Sequence, residues 1–222
     1  MPISELFSSP MLFLAWLLAI VFVITIHEFS HALMATFLGD STAKDNGRLT
    51  LNPLSHVSLF GLFMLVLIGF GWGNPVPYNP YNLKNRKFGP ALVALAGPLA
   101  NLVMAIICLI FFKLIFSEIH PFFAVSGSFF GGSINLGAVF LSLVIFLNLV
   151  LLIFNLLPIP PLDGSKILFS VLPDHKFAEF KQKFETQGPF ILLILIFADN
   201  FLGVNVFGRI FAIFLNFIAK II

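Results

Sequence analysis

Residues 21–40 read VFVITIHEFSHALMATFLGD. The stretch is almost wholly apolar, yet His27, Glu28 and His31 stand together inside it. Ionisable groups in an apolar span are costly and mark function by default. On a helix, positions i and i+4 share a face. His27 and His31 can therefore aim their imidazoles at one point. Neutral imidazole is a good zinc ligand, and two at this spacing fill two corners of a tetrahedron. Glu28, beside the first histidine, is placed to take a proton from a water at the metal, whose pKa zinc lowers to about 7. This is the HExxH arrangement of metallohydrolases. The alternative is a zinc or proton transporter, in which the same histidines form a pathway or a hydrogen-bonded pair between helices.

The surrounding chain is equally apolar. Of 222 residues, 59% are hydrophobic and 10% charged, against about 25% charged in soluble domains. The fold class is an all-α polytopic membrane protein. Ser9–Leu38, Ala91–Phe116 and Ile134–Leu157 are each long enough to span a bilayer, which takes about 20 residues. The tail beyond about residue 188 is too long for one span and is broken by ADNFLGVN, so it reads as a helical hairpin, about 188–222. That makes about five spanning helices. Residues 59–73, LFGLFMLVLIGFGWG, are too short for a span and contain four glycines, which predicts a re-entrant segment. RLTLNP before it reads as an extended strand, giving a short β-hairpin on the cytoplasmic side.

Lys44, Arg48, Lys84, Arg86, Lys87, Lys166, Lys176, Lys181 and Lys183 all fall on one side if the first helix runs inward, which makes that side cytoplasmic. The loop Ser117–Ser133 then lies outside. The net charge of +2 gives no case for nucleic acid. Cys108 is the only cysteine, so no internal disulfide forms. Met1–Pro10 has no Lys or Arg, so no cleavable signal is expected. The localisation expected is a multi-pass membrane protein, in the inner membrane if bacterial.

A catalytic zinc takes three protein ligands, so one more is needed. Asp163, in NLLPIPPLDGSK, is the candidate. Pro158, Pro160 and Pro161 end a helix, and the freed backbone must be buried in protein or wet. Asp163 thus sits on an irregular segment able to reach the depth of the histidines, with Gly164 permitting a tight turn. Taken alone, Asp163 is better explained as an N-cap of SKILFSVL.

Together the motifs resemble the site-2 protease family of intramembrane zinc metalloproteases, in a compact form without a PDZ domain. The matching stretches are HEFSH at 27–31, LNPLSH at 51–56, GWGNPVPYNP at 71–80, AGPLAN at 96–101 and NLLPIPPLDG at 155–164. The resemblance implies one zinc per chain held by His27, His31 and Asp163, Glu28 as general base, and Asn155 assisting substrate or oxyanion binding. Asn148, one heptad earlier, could equally make the polar contact between helices that would explain Asn155 structurally. It implies a single metalloprotease domain over 1–222, with a catalytic core at about 9–172. The implied partners are the bilayer and a membrane protein substrate with a transmembrane segment, to which an edge strand near Arg48–Asn52 would pair. His56 matches a histidine common in the family's re-entrant loop, but HVSL follows where the pattern resembles HxDP. Its role is open between proximity to zinc and a loop hydrogen bond. Gly97, Ala96 and Ala100 read as small residues for close helix packing, and Asn101 as packing or substrate contact.

Overall fold

The computed structural model describes residues 9–68, 71–116, 121, 135–201, 203, 205, 207–211 and 213. Among these the chain is mostly helical: α1 (Pro10–Phe37), α2 (Thr42–Asp45), α3 (Leu59–Ile68), α4 (Gly89–Ile115), α5 (Leu136–Asn155), α6 (Asp163–Val171) and α7 (Asp174–Phe201). Three of them, α1, α4 and α5, are long and apolar enough to cross a membrane. Two compact units divide the chain, Met1–Leu152 and Ile153–Ile222.

In the first unit α1 packs along α4. The contact is built from small residues. Ala15, Ala19, Ala32 and Ala35 are buried on α1, and Ala94, Ala96, Gly97 and Ala105 on α4. In lipid, tails are as apolar as leucine, so helices associate by close backbone approach, which small residues permit. Large apolar side chains point the other way: Leu14, Leu18 and Phe22 on α1 and Val103, Ile106 and Ile110 on α4 are exposed. A surface of this kind suits lipid and not water.

Beyond α1 the chain turns at Gly39 and is fastened by Asp40. This carboxylate is fully buried. It accepts hydrogen bonds from the Thr42 amide (3.2 Å) and hydroxyl (2.6 Å), the Asn79 amide (2.7 Å) and Asn82 Nδ2 (3.0 Å). The loop around residues 78–83 is thereby held against the end of α1, where Ala35, Leu83 and Val93 form a small core with Met34, Leu38 and Tyr78.

The segment expected to be re-entrant contains α3, ten residues or ~15 Å long, too short to span. Its flanks meet: Val57 and Gly73 form an isolated antiparallel bridge. Gly61 and Gly71 make the approach possible, since a Cβ on Gly61 would lie 1.9 Å from the Trp72 carbonyl oxygen and one on Gly71 2.2 Å from that of Gly61. Among the described residues the expected β-hairpin is not formed. Arg48–Asn52 is irregular, and Asn52 instead caps a 3-10 turn at Pro53–Ser55 by accepting from the Leu54 amide at 3.1 Å. Pro53 has no N–H to offer a ladder, so the short apolar alternation before it never pairs.

The second unit begins at the end of α5. The chain turns through Leu156–Leu162 into α6, and Lys181 on α7 donates to the carbonyls of Phe169 (2.5 Å) and Leu172 (2.8 Å) at the far end of α6. Lys166 pairs with Glu185. The tail departs from expectation: α7 is one 28-residue helix that carries both the polar stretch and the start of the apolar tail, straight through Pro189. Gly188 lies on Pro160, where a Cβ would come within 2.6 Å of the proline ring. The expected break does occur at ADNFLGVN, where α7 ends at Phe201 and Gly203 and Asn205 take positive φ. Most of the hairpin's second arm, and nearly all of the loop 117–133, lie outside the described residues, so among those described the span count is three rather than about five.

Candidate functional site

His27, Glu28 and His31 lie on one continuous helix, as their spacing requires. Both histidines are buried, at 5% and 7% exposure. Their Nε2 atoms are 3.0 Å apart and the rings meet edge to face at 88°.

The opposite nitrogens are fixed. His31 Nδ1 is 2.7 Å from the Val93 carbonyl oxygen, which can only accept, so Nδ1 carries the proton. His27 Nδ1 is 2.6 Å from Asn101 Oδ1. Both imidazoles thus turn Nε2, with its lone pair, toward the same point. Two lone pairs 3.0 Å apart repel unless a cation lies between them. A tetrahedral zinc with Zn–N bonds of about 2.0–2.1 Å would place two nitrogens about 3.3 Å apart. The pair therefore fits a zinc ion by donor type, tautomer and spacing, and the anchored Nδ1 atoms are the usual outer partners of metal-binding histidines.

Gly97 forms the floor. A Cβ there would lie 2.5 Å from His31 Nε2 and 2.6 Å from His27 Cε1. The small residue of AGPLAN thus does permit close packing, and what it admits is the imidazole pair. Glu28 is half-buried and accepts from the Val76 amide at 3.2 Å through Oε2. That places the GWGNPVPYNP loop beside it, and at Gly73 a Cβ would crowd the His56 carbonyl oxygen at 3.1 Å and Ile24 at 3.2 Å.

His56 is fully buried, and its Nε2 donates to the Thr50 carbonyl at 2.7 Å. It makes the loop hydrogen bond. Asn101 and Asn148, also fully buried, bond to each other at 2.8 Å. Asn101 was not singled out as a partner of His27 by its spacing, although a carboxamide in the buried face of a span is a signal of polar work.

In the second unit Asp163 is the first residue of α6. Leu162 occupies the N-cap position, and its apolar side chain makes no cap hydrogen bond. Gly164 has ordinary φ and serves a close approach instead of a tight turn: a Cβ would lie 2.3 Å from the Leu156 carbonyl oxygen. Asn155 is the last residue of α5.

Peptidase family M50 matches residues 120–197. The Bacillus subtilis protein named "Putative zinc metalloprotease YwhC" is 40% identical over 171 residues, 77% of this chain and 74% of that protein. The chain belongs to peptidase family M50, the site-2 protease family. Further relatives bear the name "Putative zinc metalloprotease Rip2". That of Mycolicibacterium smegmatis is 35% identical over 156 residues, 67% of this chain and 52% of its own length. That of Mycobacterium tuberculosis H37Rv is 33% identical over 192 residues, 84% and 65%. No solved structure matches significantly. As an M50 member the chain is a multi-pass membrane zinc metalloprotease, and the imidazole pair on α1 suits that metal.

Proposed function

We propose that this M50 protease cuts a peptide bond in or next to a transmembrane segment of a substrate protein, near the cytoplasmic face, which in a bacterium is that of the inner membrane. The observation that carries the reading is a pair of imidazoles buried in a 28-residue apolar helix with Nε2 atoms 3.0 Å apart. His27 lies ten residues before the helix end at Phe37, ~15 Å along the axis.

In this reading Asp163 supplies the third ligand and residues 1–222 act as one domain. Its support is chemical: a carboxylate completes a histidine pair as a catalytic zinc set, and the N-cap position of α6 is held by Leu162, not by Asp163. Zinc, when bound, supplies the positive charge that polarises the scissile carbonyl and acidifies the attacking water. Glu28 takes the water's proton and later gives it to the leaving amine. The Val76 amide steadies Oε2, which leaves Oε1 to carry that proton. Asn155 offers a carboxamide donor where negative charge develops on the scissile oxygen.

The test is to co-reconstitute the chain with a single-span substrate in vesicles and map the products by mass spectrometry. New termini should fall within or at the edge of the apolar stretch and vanish on chelation. Zinc flux across the vesicle without any cut would overturn the reading in favour of transport.

A further inference from the structure

The bonds behind His27 run in one direction. The Val144 carbonyl can only accept, so Asn148 must turn its nitrogen to it, at 2.8 Å. Asn148 Oδ1 then faces Asn101, whose Nδ2 donates at 2.8 Å. Asn101 Oδ1 is left at 2.6 Å from His27 Nδ1, where it must receive a proton. We propose that Asn148 and Asn101 form a directional relay that holds His27 in its Nδ1–H tautomer, and so keeps the Nε2 lone pair available for zinc. Asn148 is then a positioning residue acting on the metal centre through Asn101. The proposal rests on the reading of His27 as a zinc ligand.

Two buried carboxamides could hold helices together with either amide orientation. Orientation matters only at His27, and it is set at Val144. If the Asn148 anchor is lost, the Asn101 amide is free to turn its NH2 toward Nδ1. That favours the Nε2–H tautomer, which places a proton where the metal binds. Such outer partners typically govern 10–100-fold in metal affinity. A carboxylate at position 101 would make the anchor unnecessary, because it accepts in any orientation.

The experiment measures zinc affinity of the purified full chain in detergent by competition with a chelator. Asn148→Leu should weaken zinc 10–100-fold. Adding Asn101→Asp to that background should restore affinity to within a few-fold of wild type. A contact that serves only packing predicts the reverse, since the double variant buries a charge beside a leucine. Wild-type affinity in Asn148→Leu, or a double variant weaker than the single, overturns the relay. His27→Ala is the control for the underlying reading: zinc kept at full affinity there rejects His27 as a ligand. Should a variant fail to fold, 15N spectra of the metal-free wild type, labelled at histidine, decide independently. His27 protonated at Nδ1 supports the relay, and protonated at Nε2 refutes it.

Discussion

At the scale of single residues, the imidazole pair depends on one missing side chain, and the proposed third ligand on one carboxylate. Gly97 faces imidazoles that cannot swing aside, because Asn101 and the Val93 carbonyl hold their far nitrogens. Gly97→Ala should therefore displace the histidines. Overpacking of this kind costs about 1–3 kcal/mol, and zinc retained after dialysis should fall well below that of wild type while the helical content persists. Asp163 poses a sharper question. In a capping role, Asp163→Asn would cost a few tenths of a kcal/mol at most. As a ligand it would lose an anionic oxygen from a dication in a site of low dielectric, and zinc affinity should fall by orders of magnitude. Chelator competition separates the two. The histidines and Glu28 were legible because helical spacing alone brings His27 and His31 to one face. Asn101 and Asn148 were less so: their partners lie 74 and 47 positions away from Asn101, and no local pattern encodes a pairing across helices.

At the scale of elements, long apolar runs were read well and short mixed ones poorly. The expected spans at Ser9–Leu38, Ala91–Phe116 and Ile134–Leu157 end within two residues of α1, α4 and α5. The strand at Arg48–Asn52 was misread because alternation over so few residues does not outweigh an Asn-Pro turn. The boundary drawn at about residue 188 between the polar stretch and the apolar tail is not an element boundary, since α7 runs through it with Pro189 in mid-course. Asp40 fastens α1 to the 78–83 loop, and its pH dependence can be signed. Burial alone would raise its pKa, but hydrogen bonds from Thr42, Asn79 and Asn82 outweigh that and hold it below the usual value of 3.8. The folded form therefore favours the ionised carboxylate. Its contribution is present in full above the unfolded pKa and is lost as pH falls through the lower, folded one. Asp40→Ala should destabilise the protein by ~2 kcal/mol or more, because buried donors lose a charged acceptor. Thermal melts in detergent should show that deficit at pH 7 and show it shrinking below pH 3.8.

At the scale of the whole molecule, the basic residues and the bridge between Val57 and Gly73 argue that the α3 segment enters and leaves on the cytoplasmic side. In a chain with Cys108 replaced by alanine, a cysteine at Ser55 and another at Lys84 should both react with an impermeant reagent only from inside. Labelling of Ser55→Cys only from outside would refute the re-entrant path. The central claim is that Glu28 is a base working on zinc it does not hold. Glu28→Gln keeps the size and the bond to the Val76 amide but cannot take a proton. The most direct measurement is zinc content and substrate cleavage in one preparation of this variant, reconstituted beside wild type with the same single-span substrate. The variant should carry about one zinc per chain, as wild type does, and cut at least 100-fold more slowly, the lower range of a lost general base. Cleavage at the wild-type rate, or loss of the metal with the carboxylate, would contradict the assignment.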